Sequence, residues 1–317
     1  MGDRPDPVVL VAGSANADFV VRAPRIPAPG ETVLGGDLAI FPGGKGANQA
    51  VAAARAGGVA TSMLAALGDD DPGRLLETSL RAAGVRLHIR RSERSTGAAL
   101  ITVSDDAENA ITVAPGANAD LAVGDLPSLA GVAWLVMQLE TPLDTVSVFA
   151  WQARAVGTKV LLNAAPARPL PAALLDAIDL LVVNEEELSL IVGGEGSIAA
   201  QLTRTGVATT VVTLGGRGAC AYVDGSYLLQ PAFPVTPTDT TAAGDTFCGV
   251  LAAALAEGAG MATALERANA AAALVTTRPG AQSSIPTRAE VDAFMTSAHP
   301  DDRAALALYC GVDTPFA

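Results

Sequence analysis

VVLVAGSANADFVV (residues 8–21) joins a β-branched apolar run to a short segment of Gly, Ser, Asn and Asp. This order is typical of a buried strand that ends in a site-forming turn. Later apolar runs have the same character, because each is followed by polar or small residues: WLVMQLE (134–140), KVLLNAAP (159–166), LLVVNEEE (180–187) and TTVVTLGG (209–216). The pattern predicts a set of buried strands whose ends carry polar groups.

Stretches rich in alanine and leucine lie between these runs and have helical character: 47–56, 72–83, 143–156, 171–178 and 197–205. Strand followed by helix, repeated along the chain, predicts an α/β fold with a mostly parallel central sheet flanked by helices. Ligands of such sheets bind beyond the carboxyl ends of the strands. We therefore expect the functional site among the polar strand ends.

Two segments depart from this rhythm. Residues 19–42 and 86–113 alternate apolar and polar residues, as in GAALITVSD and NAITVAPG, which predicts antiparallel hairpins in a small projecting β-sheet. Such a sheet could be a lid, a dimer surface or decoration, and the sequence alone does not choose between them. We expect one α/β domain over residues 1–298 that includes this sheet, and a weakly patterned tail of unassigned role at 299–317.

The composition excludes several classes of function. The chain has 317 residues, of which 50% are hydrophobic, so it can bury a sizeable core. Its net charge of −13 leaves no basic face for nucleic acid or an anionic membrane. No uncharged apolar run reaches the roughly 18 residues of a membrane span, and MGDRPDPVVL lacks the pattern of a signal peptide.

Cysteine and histidine usage narrows the chemistry. The three cysteines are widely spaced and form no C-x-x-C pair, which argues against a disulfide framework or a zinc site and favours the cytoplasm. The two histidines are interpreted as surface or loop residues, and two are too few for most histidine-based centres. Catalysis must therefore depend on carboxylates, lysine, backbone amides or a metal ion bound from solution.

DTTAAGDTF (239–247) is the most informative motif. Ala242, Ala243 and Gly244 have little bulk, so their N–H groups are expected to be accessible at the start of a helix that begins near Asp245. This pattern predicts an anion hole. Asp245 at its mouth can accept a proton from a hydroxyl while the amides stabilise charge on a group under attack. A simple helix cap remains an alternative for Asp245, but it does not explain the run of small residues.

FPGGKGANQAVAAARAGG (41–58) places glycines just before a predicted helix, with Lys45 among them and Asn48 in the first turn. Backbone amides at a helix start and a lysine can hold an anion or a polyol, and close helix–strand packing explains the glycines equally well. The spacing is not that of a Walker loop.

Polar residues at other strand ends have two interpretations each. Asn16 and Asp18 can share the hydroxyls of a small polar ligand, although both are common turn formers, and Glu140 is either a site carboxylate or an exposed loop acid. Asn184 and Glu187 would share a helical face and could orient water around Mg²⁺, although acids at a helix start also complement the helix dipole. TLGGRGA (213–219) could bring backbone close to a nucleotide phosphate or form a hairpin.

Taken in order, the motifs resemble those of the ribokinase-like carbohydrate kinases over nearly the whole chain: GSANAD, PAPGETVLG, GGKGANQAVAAARAG, STGAALITV, MQLETPL, LNAAPARPLP, NEEE, TLGGRG, DTTAAGDTF and RPGAQSSIP. GGKGANQA and TAAGDTF correspond to the two signature regions of that family. The resemblance implies transfer of the γ-phosphoryl of ATP to the 5-hydroxyl of ribose, with Mg²⁺ as cofactor and K⁺ as activator. Alternatives are 2-deoxyribose, another pentose or a nucleoside as acceptor, or a sugar-responsive binding protein without turnover.

The resemblance also implies roles for individual residues. Asp245 would be the base, and the sugar would be held by Asn16, Asp18, Gly44, Lys45, Asn48 and Glu140. The nucleotide site would comprise Asn184, Thr213, Gly215, Arg217, Gly218, Gly244 and Asn269. Asn269 stands at a position where the family also allows a histidine.

Metal ions and a partner subunit are implied in the same way. Glu187 would help to place Mg²⁺. K⁺ would be held by the side chains of Asp239 and Ser284 and by the carbonyl groups of Thr241, Val275, Arg278 and Gly280. The projecting sheet would be a lid and would form the clasp of a homodimer, whereas the tail beyond residue 298 has no counterpart in the family.

Overall fold

The computed structural model describes residues 9–106, 108–300 and 302–312. Its strands, in chain order, are β1 (Val9–Ala12), β2 (Asn16–Ala23), β3 (Ala39–Gly43), β4 (Thr61–Gly68), β5 (Arg86–Ser92), β6 (Gly97–Ser104), β7 (Asn109–Ala114), β8 (Trp134–Met137), β9 (Lys159–Asn163), β10 (Leu180–Asn184), β11 (Thr209–Thr213), β12 (Gly218–Val223) and β13 (Ser226–Pro231). Its helices are α1 (Lys45–Arg55), α2 (Asp71–Ala82), α3 (Leu143–Ala155), α4 (Ala172–Leu175), α5 (Glu185–Val192), α6 (Ile198–Thr203), α7 (Ala243–Ala256), α8 (Met261–Thr276), α9 (Arg288–Ser297) and α10 (Arg303–Cys310).

Nine strands form the central sheet in the order β13-β12-β11-β10-β9-β8-β1-β4-β5. In this sheet order, the seven strands β11, β10, β9, β8, β1, β4 and β5 are all parallel to their neighbours. At the other edge, β12 pairs antiparallel with β11 and with β13. The predicted α/β class and mostly parallel sheet are confirmed. Strand β12 (GACAYV) follows the glycine-rich turn and forms a hairpin with β11, so the hairpin interpretation of TLGGRGA is confirmed.

Helices cover both faces of the sheet because the strand side chains alternate. In β1, Val9 and Val11 pack in one core layer, and Leu10 and Ala12 pack in the other. The first layer contains buried residues of α1, α2, α7, α8 and α9. The second contains buried residues of α3, α4, α5, α6 and α10. The parallel strands are buried on both faces and are therefore almost continuously apolar.

A separate four-stranded sheet has the order β3-β2-β6-β7, which we call the small sheet. Its strands β2 and β6 run parallel, whereas β2–β3 and β6–β7 are antiparallel. The prediction that 86–113 belongs to this sheet is wrong at its start, since β5 pairs in parallel with β4 at the edge of the central sheet. RLHIRRS alternates because β5 is an edge strand, with several side chains partly or fully exposed. Asn16 and Asp18 likewise lie in β2, and not in a turn.

The predicted tail contains a helix. Leu306, Ala307 and Cys310 of α10 are buried in the second core layer. Parts of this tail, together with the N-terminal residues interpreted above as lacking a signal peptide, lie outside the described residues. Among the described helices, none combines the length and the apolar character needed to cross a bilayer.

Candidate active site

A cleft opens at the carboxyl ends of the central strands, where the polar strand ends meet the starts of two helices. Asn163, Asn184 and Thr213 are the last residues of β9, β10 and β11. Opposite them lie the first residues of α1 and α7. The lining of the cleft comprises Lys45, Asn163, Ala165, Val182, Asn184, Glu187, Thr213, Thr240, Ala242, Ala243, Gly244, Asp245 and Cys248.

The Asp245 carboxylate is fixed by two side-chain amides from α1. Asn48 Nδ2 donates to Asp245 Oδ2 at 3.0 Å, and Gln49 Nε2 donates to Asp245 Oδ1 at 3.0 Å. Each carboxylate oxygen has a second lone pair, so Asp245 can still accept a hydrogen bond from a ligand hydroxyl. This arrangement orients Asp245 as a proton acceptor at the start of α7.

Gln49 was missed by the sequence analysis. Its side chain is fully buried, donates to Asn163 Oδ1 at 3.1 Å and accepts from Gln138 Nε2 at 2.6 Å. Two signals could have indicated this network: Gln49 follows Asn48 directly in the first turn of α1, and Asn163 ends a buried strand. Gln49 therefore ties Asp245 to the polar end of β9.

Backbone amides at the start of α7 face the cleft. Ala242 has φ 62°, a left-handed conformation that costs a non-glycine residue about 1–3 kcal/mol, and α7 has no side-chain cap. Ala243 N–H donates to the Thr240 carbonyl at 3.2 Å. The prediction that this amide is free is therefore wrong. The amides of Ala242 and Gly244 have no acceptor among the described residues. A Cβ on Gly244 would meet nothing within 4 Å, which leaves room for ligand atoms.

A cup of acceptors lies beside Asp245 and is formed by β2, the glycines of 43–46 and Glu140. Ser14 Oγ donates to Glu140 Oε2 at 2.6 Å, and Asn118 Nδ2 donates to Asn16 Oδ1 at 2.7 Å. A Cβ on Gly43 would collide with the Asp18 carboxylate. Close packing thus explains the glycine there, and the same close packing builds the cup.

Gly44 needs both conformational freedom and small size. Its φ is +90°, and a Cβ would lie 2.6 Å from the Asn16 backbone nitrogen. The side chain of any other residue would push α1 away from β2. Close packing, one of the two interpretations of the glycine motif, is confirmed, and it places Lys45 in the lining of the cleft and Asn48 beside Asp245.

The electrostatics of the cup favour a ligand rich in hydroxyl groups. Burial, followed by the charges of Glu140 and Asp245, raises the pKa of Asp18 to about 7. Burial works to lower the pKa of Lys45, but Asp245, Glu140 and Glu187 outweigh it, so that this pKa is raised and the ammonium stays charged. Carboxylates that only accept hydrogen bonds are suited to the donors of a polyol.

Asn184 and Glu187 are joined in a capping box at the start of α5. Glu187 N–H donates to Asn184 Oδ1, and Asn184 N–H donates to Glu187 Oε2, both at 2.8 Å. Both side chains also line the cleft, so their capping role does not remove them from the candidate site. Burial raises the pKa of Glu187, and one of its oxygens has no hydrogen-bond donor among the described residues. This oxygen fits a hydrated Mg²⁺.

Other residues implied for the nucleotide lie outside the lining of the cleft. Gly215 and Arg217 are exposed in the short turn after β11, and Gly218 begins β12. Asn269 is buried, and its Nδ2 donates to the Gln230 carbonyl at 3.2 Å. The structure thus brings Asn184, Thr213 and Gly244 together and leaves Asn269 as a support of β13.

Asp239 joins two loops below the start of α7. Its Oδ1 accepts from Thr241 N–H at 2.9 Å and from Thr241 Oγ1 at 2.6 Å, and its Oδ2 accepts from Gly280 N–H at 2.9 Å. Burial alone would raise the pKa of Asp239, but these bonds hold it below its usual value. Asp239 is therefore ionised and clamps residues 239–241 to 280.

Residues that the resemblance implies for a monovalent cation lie next to this clamp. Ser284 Oγ donates to the Gly280 carbonyl at 2.5 Å, and the Arg278 guanidinium pairs with Glu290 at 2.7 Å. The described residues contain no cluster of three or more His, Cys, Asp and Glu that could hold a metal. The oxygen groups implied for K⁺ are one carboxylate, one hydroxyl and backbone carbonyls, which is a donor set of low charge.

The groups that line the cleft indicate a class of enzyme. Accessible amides and a lysine provide a place for phosphate, and a fixed carboxylate beside a cup of acceptors provides a place for a polyol hydroxyl. Together with the three-layered α/β fold, they describe a small-molecule kinase.

Comparison with known proteins also identifies carbohydrate kinases. The family model for pfkB family carbohydrate kinases matches residues 7–288. The ribokinase of Haemophilus influenzae is 40% identical over 303 residues, covering 92% of this chain and 99% of the relative. The crystal structure of ribokinase from Thermotoga maritima matches with a TM-score of 0.86 and 34% identity, covering 92% of this chain and all of that one. Ribokinase from Arabidopsis thaliana, solved in complex with ribose and ATP, has a TM-score of 0.82 and 32% identity, covering 91% and 98%. The chain belongs to the pfkB family of carbohydrate kinases.

Proposed function

We propose that this protein is an ATP-dependent sugar kinase that transfers the γ-phosphoryl group to the 5-hydroxyl of D-ribose. The observation that carries the proposal is the Asp245 carboxylate, held by Asn48 and Gln49 between the acceptor cup and the free amides of α7. Relatives named as ribokinases over almost the whole chain support ribose as the acceptor and ATP as the donor.

In the proposed reaction, Asp245 orients the 5-hydroxyl and accepts its proton. The hydroxyl oxygen forms a bond to the γ-phosphorus, and the bond from that phosphorus to the bridging oxygen of ADP breaks. Lys45 and the amides of Ala242 and Gly244 stabilise charge on the phosphoryl oxygens. Phosphoryl transfer depends on such positioning and charge stabilisation more than on a strong base.

Recognition of the sugar is assigned to the cup. Asp18, Asn16 and Glu140 accept hydrogen bonds from the sugar hydroxyls, and the Lys45 ammonium donates. Asn184, Thr213, Gly215, Arg217, Gly218 and Gly244 are proposed to contact ATP. Asn269 would act at this site indirectly, through the strand that it supports.

Two ions complete the proposal. Mg²⁺ at Glu187 would neutralise charge on the phosphates when bound. K⁺ beside Asp239 and Ser284 would stabilise the loop that leads into α7, with Thr241, Val275, Arg278 and Gly280 providing carbonyl oxygens.

We also propose a homodimer formed through the small sheet, which would act as lid and clasp. One face of this sheet exposes Ile40 (46% exposed) and Leu100 (56%), which flank Phe19. Exposed apolar side chains grouped on one sheet are typical of an interface. A cytoplasmic location is proposed from the three free cysteines.

One experiment tests the reaction and the acceptor together. ATP consumption is measured with D-ribose, 2-deoxyribose, other pentoses and nucleosides at matched concentrations. We expect the highest kcat/KM with ribose, because the Asp18 carboxylate would lack a partner opposite a missing hydroxyl. A higher value with deoxyribose or a nucleoside would change the assigned substrate. Sugar binding without ATP consumption would identify a non-catalytic binding protein.

A further inference from the structure

Helix α10 lies beyond residues 7–288, the part of the chain that matches the family model. Its buried residues Leu306, Ala307 and Cys310 anchor it in the second core layer. Tyr309, on the same helix, is 41% exposed. Helix α10 therefore adds the Tyr309 side chain to the part of the fold that the family model covers.

Tyr309 contacts two segments that border the cleft. The Arg217 guanidinium carbon lies over the Tyr309 ring, 4.2 Å from its centroid. The Tyr309 hydroxyl donates to Glu185 Oε1 at 2.6 Å. Arg217 follows Thr213 by four residues, and Glu185 follows Asn184 directly, so both partners are linked by short backbone to residues of the cleft lining.

The two contacts leave Arg217 able to bind an anion. Stacking on the ring uses the face of the guanidinium and leaves its N–H groups free in the plane. Arg217 forms no salt bridge among the described residues, and Glu185 is occupied by the tyrosine hydroxyl. The hydrogen bond to Glu185 raises the pKa of Tyr309, which keeps the hydroxyl protonated as a donor. Tyr309 thus contacts the Arg217 guanidinium through its ring and the Glu185 carboxylate through its hydroxyl.

We propose that Tyr309 is a positioning residue for the nucleotide, which holds Arg217 with its N–H groups directed to the phosphate chain of ATP. This inference rests on the proposed function, because it takes Arg217 as a nucleotide contact. It goes beyond that function, because it assigns a role in nucleotide affinity to the C-terminal helix.

The test compares Tyr309→Leu with Tyr309→Phe and with Leu308→Ala in the full-length protein. Leu308 is on the same helix and 85% exposed, so it controls for a change on α10 that does not touch Arg217. We expect Tyr309→Leu to raise KM for ATP by about 3- to 10-fold, as for the loss of a stacked cation and a hydrogen bond to a charged group. The kcat and the KM for the sugar should change by less than about twofold. Tyr309→Phe keeps the ring and should have a smaller effect, and Leu308→Ala should have none.

A double-mutant cycle separates this role from a purely structural one. In an Arg217→Ala background, Tyr309→Leu should cause no further increase in KM for ATP, because its effect acts through Arg217. An unchanged KM in Tyr309→Leu, or effects that simply add, would overturn the proposal.

Calorimetric titration with ADP keeps the test independent of turnover. The Kd for ADP should weaken in Tyr309→Leu by a factor similar to that seen for KM. If ATP is not consumed with any sugar, the proposed function fails, and the Kd for ADP still decides the role of Tyr309. An equal Kd in Tyr309→Leu and Leu308→Ala would refute that role.

Discussion

Asp18 and Asp245 are both carboxylates of the cleft, but their neighbours differ. Asp245 accepts hydrogen bonds from two side-chain amides, whereas Asp18 is partly buried near two other acids. Amide donors fix the orientation of a carboxylate, whereas burial beside like charges stabilises the protonated form of Asp18. At the scale of the residue, the two carboxylates are therefore expected to respond differently to the same Asp→Asn change.

Asp245→Asn should lower kcat for sugar phosphorylation by at least about 10²–10⁴-fold, because the amide cannot accept the proton of the hydroxyl. The affinity for ATP should be nearly unchanged, which steady-state kinetics and ADP titration can measure. Asp71→Asn, at a nearly fully exposed carboxylate, is the control. A kcat close to that of the unmodified protein would remove Asp245 from the role of base.

Asp18→Asn should stabilise the ligand-free protein at neutral and higher pH. The pKa of Asp18 is raised from 3.8 to about 7, so the folded state retains a proton that the unfolded chain has released in this interval. The stability that this group contributes is complete below the lower value and is lost as pH rises to the upper one.

Thermal unfolding followed from about pH 5 to about pH 8 measures this effect. The Tm of Asp18→Asn should decline less than that of the unmodified protein over this range, and its affinity for the sugar should be weaker. Asp69→Asn, at a side chain that is 93% exposed, is the matched control. Equal declines in Tm for the two variants would contradict the raised pKa.

Individual residues of the site were predictable from the sequence where a motif marked them. Asp245, Lys45 and Asn48 follow from small-residue runs at helix starts, whereas the signals for Gln49 and Asn163, a place next to Asn48 and a strand end, do not reveal that the two residues pair. Their roles depend on a contact between α1 and the end of β9, more than 100 residues apart in sequence. No local pattern contains that contact.

At the scale of the element, Asp239 joins the loop before α7 to the loop after α8. Asp239→Ala removes three hydrogen bonds to Thr241 and Gly280 and should blunt activation by K⁺, since the loops that surround the proposed ion would separate. The measurement is kcat as a function of K⁺ concentration at constant ionic strength. Thr238→Ala, at an exposed neighbour in the same loop, should retain the response. An unchanged dependence on K⁺ in Asp239→Ala would exclude Asp239 from the ion site.

Strands were predictable where apolar runs are β-branched and followed by polar residues. β4 was not anticipated, because TSMLAALG is composed largely of good helix formers and is a strand through burial of all eight residues. β5 alternates like a strand of the small sheet but pairs with β4, because parallel pairing is decided by the partner strand and not by the alternation itself. The class of fold is thus contained in local patterns, and the assignment of edge strands is not.

At the scale of the whole molecule, the small sheet is joined to the central domain beside the site. The first residue of β2, Asn16, lies opposite the last residue of β3, Gly43, and both of these strand termini lie in the acceptor cup. A movement of the small sheet therefore also moves Asp18. Closure over a bound sugar would couple the lid to substrate recognition.

The same sheet is where we expect the subunits of the proposed dimer to meet. Register places Ile40 opposite Phe19 and Phe19 beside Leu100, which forms an apolar row across three strands. Leu100→Glu introduces a charge into this row and should shift the protein from dimer to monomer, as sedimentation equilibrium over a range of concentrations can show. Leu190→Glu, at a side chain on α5 that is 49% exposed, controls for the added charge elsewhere. We expect the control to remain dimeric, and a Leu100→Glu protein that is as dimeric as this control would place the interface outside the small sheet.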